Sequence, residues 1–461
     1  MPKLKTTLLV LIIFVIAGFC VIFYSNSLQN PFIWDDEALI VRNPVIRSWQ
    51  NLPSAFTSDL YSGVNFGSNF YRPLQTASYM WDYHFWQLNP YGYHLTNIIL
   101  QALVAFLVFL LSYAIFKEVD SALAVALLFA LNPLHTEAVT YLSGRAEMLL
   151  GLFLLSALLL FMRGYRFLSW LSFILALLSK ELAVVFPLLI LAYLFYYRRE
   201  ELKKAGNFIK LLLPFLVIDL VYLLLRVSFL SFARMHPPAL TKYPLLLRIT
   251  VLPEVILTYL RLLFFPLNLH MSWTITRPAD FLGFFLNWFV LGLICVACFY
   301  ILKDKRTDKR AALMLCWSLV FFLPQSGILP INAFIAEHFI YLPSISFFML
   351  IVYLFRRYLR KGLFIFAVIG LGAFYGLLTF NRNFEWSDPA AFYEKITRFS
   401  PGSFQAHNNL GLQYEYRYLY AKAIIEYKKA LEINPDLLEA RSNLANLYFK
   451  LGKFKEARAE Y

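Results

Sequence analysis

Residues 6–44 read TTLLVLIIFVIAGFCVIFYSNSLQNPFIWDDEALIVRNP, an apolar run followed closely by three carboxylates, Asp35, Asp36 and Glu37. The apolar run, residues 6–24, has the length of a helix that crosses the hydrocarbon core of a bilayer, which takes about 20 residues. No small-residue cleavage pattern of a secretory signal follows it. We therefore interpret the run as an uncleaved first membrane helix that leads into an acidic loop.

The rest of the chain has the same apolar character. Of its 461 residues, 60% are hydrophobic and 15% are charged, whereas soluble domains contain about 25% charged residues. The formal net charge is +14, but the basic residues form short clusters between apolar runs, as in the cytoplasmic loops of membrane proteins. The composition therefore predicts an all-α, polytopic membrane protein, and the charge indicates topology rather than a nucleic-acid partner.

Eleven apolar runs are predicted to cross the membrane. Their spans are residues 6–24, 93–116, 121–134, 146–162, 166–179, 182–197, 209–226, 281–302, 311–329, 343–355 and 362–380. The first outer loop then covers residues 25–92. With the N-terminus in the cytoplasm, the basic clusters all fall on the cytoplasmic side, and residues 244–266 must lie along the outer face or re-enter the membrane.

The last part of the chain repeats with a period of 34 residues. Leu410, Gly411, Tyr414 and Ala423 recur as Leu444, Ala445, Tyr448 and Ala457. This spacing resembles tetratricopeptide repeats. We predict a membrane domain over 1–381 and a repeat region over 382–461, consisting of a half repeat (386–401), a full repeat (404–437) and a partial repeat (438–461). Such repeats usually provide a binding surface.

The predicted outer loops contain most of the charged residues that lie at the ends of spans. Besides Asp35 and Asp36, the candidate site residues are Arg72, His135, Glu137, Arg145, Glu147, Lys180, Glu181, Glu337 and His338. Each has an ordinary structural explanation as a charge that ends a helix. Four separate loops nevertheless place polar clusters at the same membrane face, where such groups are costly to desolvate. One shared cavity accounts for all four clusters.

Paired carboxylates backed by cations suit the transfer of a sugar from a lipid phosphate to a hydroxyl group. One carboxylate removes the acceptor proton, and cations stabilise the phosphate that leaves. Asp35 or Asp36 is the candidate base, and Arg72, Arg145 and Lys180 are candidate phosphate ligands. The same two carboxylates are also suited to a divalent metal, and the residues alone do not decide between these roles.

The ordered motifs resemble those of the transmembrane O-mannosyltransferases with tetratricopeptide repeats and of their prokaryotic relatives. The motifs are NPFIWDDEALIVRNP (30–44), FYRPLQTASYMWDYHF (70–85), NPYGYHLTNIILQAL (89–103), NPLHTEAVTYLSGRAEML (132–149), LLSKELAVVFPLLIL (177–191), AEHFIYLPSI (336–345) and RNFEWSDPAAFYEKITRFSP (382–401). They cover essentially the whole chain. The repeat array is short for this family.

The resemblance implies a fold of the GT-C class of glycosyltransferases, a polyprenyl-phosphate-linked sugar donor, mannose in the characterised eukaryotic members, and an acidic catalytic motif at Asp35 and Asp36. It also implies catalysis without a metal or other cofactor. The expected protein is a multi-pass enzyme of a bacterial or archaeal cytoplasmic membrane, or of the endoplasmic reticulum. Its repeats lie outside the cytoplasm, where they can hold a protein or glycan acceptor.

Two other functions remain open from the sequence. A non-catalytic scaffold would use the repeats to organise proteins of the cell envelope, and its polar clusters would serve only helix packing. An O-antigen polymerase or ligase is also polytopic, but its large outer loop comes late in the chain and is rich in arginine, whereas the loop at 25–92 comes first and is acidic.

Overall fold

The first outer loop and the repeats pack at one end of a bundle of apolar helices in the computed structural model. The model describes residues 4–64, 67–203, 205–230, 238–273, 281–303 and 309–461. Within these ranges the regular structure is helical and contains no strand. In chain order the α-helices are α1 (Thr6–Tyr24), α2 (Leu52–Thr57), α3 (Pro73–Trp86), α4 (Pro90–Phe116), α5 (Val119–Ala130), α6 (Thr136–Val139), α7 (Arg145–Arg163), α8 (Arg166–Ser179), α9 (Phe186–Tyr197), α10 (Arg199–Leu202), α11 (Ala205–Leu224), α12 (Leu245–Thr250), α13 (Leu252–Phe264), α14 (Phe281–Lys303), α15 (Lys309–Phe322), α16 (Tyr341–Tyr358), α17 (Lys361–Glu385), α18 (Pro389–Phe399), α19 (Phe404–Tyr416), α20 (Tyr420–Ile433), α21 (Leu438–Lys450) and α22 (Phe454–Glu460).

Seven helical segments of the described residues are long and apolar enough to cross a membrane. They are Thr6–Ser27, Pro90–Phe116, Leu142–Arg163, Gly206–Ser228, Gly283–Tyr300, Glu337–Tyr358 and Lys361–Glu385. The pair Val119–Ala130 and Pro133–Val139, bent by 49°, forms an eighth span if it is counted as one. The chain is therefore a multi-pass membrane protein, as the composition predicted.

The count of eleven crossings is higher than the helix lengths support. Each predicted span coincides with a helix, but α8, α9 and α15 contain 14, 12 and 14 residues. A straight crossing takes about 20 residues, so these three helices are too short to cross fully by themselves. They pack against longer neighbours instead, α8 against α7 and α9 against α15.

The segment predicted to lie at the outer face, residues 244–266, forms two short helices, α12 and α13. They contain 6 and 13 residues, and Pro253 lies in the first turn of α13. Neither helix is long enough to cross the membrane. This agrees with an interfacial or re-entrant segment.

The main core lies between α1, α4, α5, α7 and α16. Its fully buried side chains include Ile16, Phe109, Phe129, Leu154 and Phe348. Lipid tails are as apolar as these side chains, so the hydrophobic effect contributes little to the association of helices within a membrane. Close packing and buried polar contacts must therefore hold the bundle together.

The first outer loop is a folded unit with its own core. Leu39 and Ile40, in the π-helical turn Glu37–Val41, pack with Tyr79 of α3 and Tyr93 of α4. Leu142, in the turn before α7, completes this cluster. The acidic stretch is thus fixed against the ends of two membrane helices.

Helices α18 to α22 pack in sequence, each against its neighbour, and fall within the predicted repeats. Asp388 caps α18, because its side chain accepts a hydrogen bond from the Ala390 N–H at 2.9 Å. Gly411 lets α19 approach α20 closely: a Cβ at this position would lie 2.7 Å from the Tyr427 ring. The division of the chain at residue 381 stays a prediction.

We expect Gly411→Val to loosen the repeats. The added side chain must displace the buried Tyr427 ring, and overpacking of this kind costs about 1–3 kcal/mol. Limited trypsin digestion of the full chain in membranes should therefore cut residues 404–461 faster. Gly402→Val is the matched control, since a Cβ at Gly402 would have no atom within 4 Å. Equal digestion of the two variants would contradict this packing.

Candidate functional site

A cavity of about 460 Å³ lies where the first outer loop meets the ends of the membrane helices. Its walls come from the first loop, the turn before α7 and the start of α7, the segment between α8 and α9, the π-helical segment Leu225–Leu230 after α11, and the segment before α16. The charged or titratable side chains of its lining are Asp35, Tyr61, Arg72, Tyr141, Glu147, Lys180, Glu181, Arg226 and His338. The shared cavity predicted from the sequence is therefore present, although only some of the predicted residues line it.

Asp35 is the acidic-loop carboxylate that lines this cavity. Its backbone N–H donates to the Tyr141 hydroxyl at 3.3 Å, and its side chain is hydrogen-bonded to Tyr141 and Tyr61. Trp34, immediately before it, has a left-handed backbone with φ 55°, a conformation that bulky residues rarely adopt.

Asp36 does not line the cavity and is buried, with 1% of its surface exposed. One of its oxygens accepts hydrogen bonds from both the backbone N–H (2.8 Å) and the hydroxyl of Ser143. The other oxygen accepts from the Ile33 N–H at 3.2 Å. Asp36 thus fastens the acidic loop to the turn before α7, and its oxygens are already engaged by the protein.

Burial affects the acidity of both carboxyl groups. It raises the pKa of Asp35 above its ordinary value of 3.8, although hydrogen bonds from Tyr141 and Tyr61 and the charge of Arg72 oppose the rise. Burial also raises the pKa of Asp36 to about 7 against its hydrogen bonds to Ser143 and Ile33, and the neighbouring charge of Asp35 adds to the rise. A carboxylate with a raised pKa is a stronger base, so Asp35 combines access to the cavity with suitable basicity.

Two arginines share Glu181 in the cavity lining. Arg72 Nε lies 3.4 Å from one carboxylate oxygen of Glu181, and Arg226 lies 3.2 Å from the other. The Tyr71 N–H also donates to Glu181 at 2.9 Å. Among the described residues Arg72 makes hydrogen bonds only through Nε, so its two terminal amino groups are available to a ligand.

A chain of contacts links the remaining charged groups of the cavity. Lys180 pairs with Glu147, and both lie in the lining. His338 Nε2 lies 3.9 Å from Glu147. On its other side, His338 Nδ1 lies 2.8 Å from a carboxylate oxygen of Glu137, and the His338 backbone N–H donates to Glu137 at 3.1 Å. Glu137 does not line the cavity, and it orients His338 through these two contacts.

Arg145, predicted as a phosphate ligand, does not line the cavity. It forms a fully buried ion pair with Asp82 at 2.6 Å and donates to Asn97 at 2.6 Å and to the Tyr93 carbonyl at 3.0 Å. All its donor groups thus point into protein, so Arg145 ties α3 and α4 to α7. Its placement does not support a role at the phosphate.

His135 and Glu337 also lie outside the cavity. His135 is buried between the Phe129 and Tyr341 rings and lies 3.0 Å from the Ser344 hydroxyl. Glu337 is fully buried and lies 3.6 Å from Arg382. These two residues support the packing of neighbouring segments, whereas Asp35, Arg72, Glu147, Lys180, Glu181 and His338 line the cavity.

Sequence reasoning missed Arg226, Tyr61 and Tyr141. Arg226 is the final residue of the predicted apolar span 209–226, and the predicted topology places that end of the span at the outer face. A lone arginine at this face was therefore a usable signal. Nothing in the order of residues distinguishes Tyr61 and Tyr141 from the other 27 tyrosines of the chain, 29 in all.

We expect Asp36→Ala to destabilise the protein more than Asp35→Ala. The first change leaves two buried N–H donors, of Ser143 and Ile33, without an acceptor, and each such loss costs about 1–3 kcal/mol. The second change keeps the backbone contact of Asp35 with Tyr141. Thermal unfolding in detergent should show a clearly larger fall in Tm for Asp36→Ala than for Asp35→Ala. Equal shifts would refute the different placement of the two carboxylates.

Comparison with known proteins supports the assignment of the repeats and of the membrane region. The family model described as TPR repeat matches residues 420–452. Protein O-mannosyl-transferase TMTC3 of Homo sapiens is 26% identical over 97% of this chain and 54% of its own length. Protein O-mannosyl-transferase F38B6.6 of Caenorhabditis elegans is 26% identical over 91% of this chain and 62% of its own length.

A shorter match is closer in sequence. Protein O-mannosyl-transferase TMTC1 of Homo sapiens is 36% identical over 32% of this chain and 18% of its own length. The chain spans about half the length of the curated relatives that it matches along most of its sequence. Over nearly its whole length the chain is thus similar to proteins named protein O-mannosyl-transferases, and it carries a tetratricopeptide repeat, so the resemblance drawn from its motifs is confirmed.

Proposed function

We propose that this protein is a membrane O-mannosyltransferase that transfers mannose from a polyprenyl-phosphate donor to a hydroxyl group of a protein acceptor outside the cytoplasm. The main observation in support is that one cavity holds an accessible carboxylate, Asp35, together with the cations Arg72, Lys180 and Arg226. The names of the relatives support the sugar and the class of acceptor. The GT-C class and the lipid phosphate come from the resemblance of the motifs.

In the proposed reaction, the Asp35 carboxylate takes the proton of the acceptor hydroxyl. The acceptor oxygen then attacks the anomeric carbon of mannose from the face opposite the phosphate. The bond between this carbon and the phosphate oxygen breaks, polyprenyl phosphate leaves with the electron pair, and the anomeric configuration inverts. Asp35 suits this role because it lines the cavity, while the oxygens of Asp36 are engaged by Ser143 and Ile33.

The cations would stabilise the negative charge of the leaving phosphate. Arg72 offers its terminal amino groups, and Lys180 also lines the cavity. Preorganised cations are most effective in a site that excludes water. The pairing of Arg72 and Arg226 with Glu181 holds both guanidinium groups in place before the donor binds.

The positions of the basic clusters support an extracytoplasmic site. Helix α7 begins at Arg145, beside the cavity, and ends at Arg163, and α16 begins at Tyr341 and ends near Arg356 and Arg357. The cavity and these basic ends thus lie at opposite ends of the same helices. By the positive-inside rule, the basic ends face the cytoplasm, and the cavity and the N-terminus lie on opposite sides of the membrane.

The repeats are well placed to hold the acceptor. Helix α17 ends at Glu385, and α18 follows directly. Tyr393 of α18 stacks on Trp34 of the acidic loop, with ring centroids 5.7 Å apart. A polypeptide bound to the repeats would therefore be close to the cavity, on the extracytoplasmic side that we propose.

We expect Asp35→Asn to reduce transfer by about 10²–10⁴-fold, the usual contribution of a general base. Membranes containing the parent or the variant would be supplied with radiolabelled polyprenyl-phosphate mannose or, for comparison, glucose, together with acceptor protein. Glu37→Gln is the matched control, since Glu37 is a neighbouring carboxylate outside the cavity lining. Undiminished transfer by Asp35→Asn would contradict the assignment of Asp35 as the general base.

The same assay tests whether transfer needs a bound divalent metal. We propose transfer without a bound metal, so a chelator should leave the rate of the parent unchanged. Loss of activity that a divalent cation restores would instead favour a metal at the acidic loop.

The rate should rise with pH on the acid side of its profile. A general base acts in its ionised form, and the pKa of Asp35 is raised above 3.8 by burial. Activity is therefore lost as the pH falls through that raised value, so the acid limb of kcat/KM for the parent should lie above pH 3.8. An acid limb at or below the ordinary aspartate value would contradict the proposed base.

We expect Arg226→Gln to weaken donor binding. The change removes one of the two cations paired with Glu181 and leaves Arg72 to balance that carboxylate alone, so the KM for the donor should rise about ten-fold, the equivalent of one charged hydrogen bond. Lys210→Gln serves as a control, because Lys210 lies in the same membrane-spanning segment, Gly206–Ser228, but outside the lining. An unchanged KM would remove Arg226 from the phosphate site.

A further inference from the structure

We propose that Tyr393 is a positioning residue through which the repeat region controls the geometry of the acidic loop. The inference rests on the proposed function of the cavity. It adds a role for the repeats beyond acceptor binding, because it makes the placement of Asp35 depend on them.

The contact begins at the backbone next to Asp35. The Trp34 N–H donates to the Tyr393 hydroxyl at 3.1 Å, and the Trp34 and Tyr393 rings stack at an interplanar angle of 28°. Trp34 is held at φ 55°, where few residues other than Gly, Asn and Asp are comfortable. The two contacts supplied by Tyr393 offset the cost of this unfavourable backbone conformation. They also fix the direction in which the Asp35 side chain projects from the backbone.

A second contact from the same region supports the next residue. Trp386, at the start of the predicted half repeat, is buried and stacks on Tyr141 with centroids 5.6 Å apart and planes 21° apart. Tyr141 accepts the hydrogen bond of the Asp35 N–H. Tyr393 therefore holds the Trp34 N–H directly, and Trp386 supports the Asp35 N–H through the ring of Tyr141.

The full repeat also contacts the hydroxyl of Tyr393. The Asn409 side chain of α19 is hydrogen-bonded to Tyr393, and the Tyr414 hydroxyl donates to Glu394 at 2.8 Å. Residues of the loop, α18 and α19 also share one apolar cluster, including Ile33, Tyr393 and Leu410. A change in how α19 packs on α18 is thus transmitted to the loop through Tyr393.

The first experiment compares the kinetics of Tyr393→Phe and the parent in the full chain. Tyr393→Phe keeps the ring and loses the hydroxyl, so kcat should fall about ten-fold, as expected for one hydrogen bond that orients a catalytic group. The KM for polyprenyl-phosphate mannose should stay unchanged, because the phosphate site is not touched. Tyr461→Phe, which removes a hydroxyl of the partial repeat that donates to Asn446 and takes no part in the contact of α18 with α19, should leave kcat unchanged. Equal kcat for Tyr393→Phe and the parent would overturn the proposal.

The second experiment does not depend on transfer. Hydrogen exchange of the full chain in detergent should be about ten-fold faster at the Trp34 and Asp35 amides in Tyr393→Phe. Faster exchange confined to residues 389–416, with these two amides unchanged, would mean that Tyr393 only stabilises the repeats. If the parent shows no transfer, the proposed function fails, while the exchange result still decides whether Tyr393 positions the loop.

A variant on the loop side covers the case in which Tyr393→Phe unfolds the repeats. Trp34→Ala removes the stack from the opposite partner and leaves α18 and α19 intact, and Trp34 does not line the cavity. It should give the same fall in kcat and the same faster exchange at Asp35. Normal kcat in Trp34→Ala would overturn the proposal as well.

Discussion

The fold around the cavity depends on the hydrogen bonds between Asp36 and the turn before α7. One carboxylate joins the Ser143 backbone and hydroxyl to the Ile33 N–H, and so connects a loop near the start of the chain to the beginning of a helix more than a hundred residues later. In a membrane the packing of apolar side chains gives little preference for one arrangement over another. Buried polar contacts of this kind, together with the ion pair of Arg145 and Asp82, therefore decide which helix ends meet.

This constraint gives the two adjacent aspartates different chemistry. Fixing Asp36 inside the protein turns Asp35 toward the cavity, where Tyr61 and Tyr141 contact its carboxylate. The two arginines are arranged in a similar way, since Glu181 holds Arg72 and Arg226 at fixed positions. Each group that we propose to contact the substrate is thus oriented by a neighbour that does not need to contact it.

Much of the architecture could be predicted from the sequence, because apolar length and a 34-residue period are local signals. The positions of the apolar helices and of the repeats follow from them, whereas the number of full crossings does not, since α8, α9 and α15 are apolar but shorter than a full crossing. The charged residues at the cavity end of the bundle could also be predicted. Which of them line the cavity could not be predicted, because Arg145 and Arg72 look alike in sequence and differ only in the partners that the fold brings to them. For the same reason, the sequence did not show which of Asp35 and Asp36 lines the cavity.

The walls of the cavity come from stretches scattered between residues 35 and 339, and this has a consequence for biosynthesis. A nascent chain inserts its helices in order, so the acidic loop leaves the ribosome long before Lys180, Arg226 or His338 exists. No early fragment contains a complete site, and the residues that support Trp34 follow the last membrane helix. An incompletely made chain therefore lacks part of the cavity wall, and under the function that we propose the newly made protein becomes competent only after its final span has been inserted.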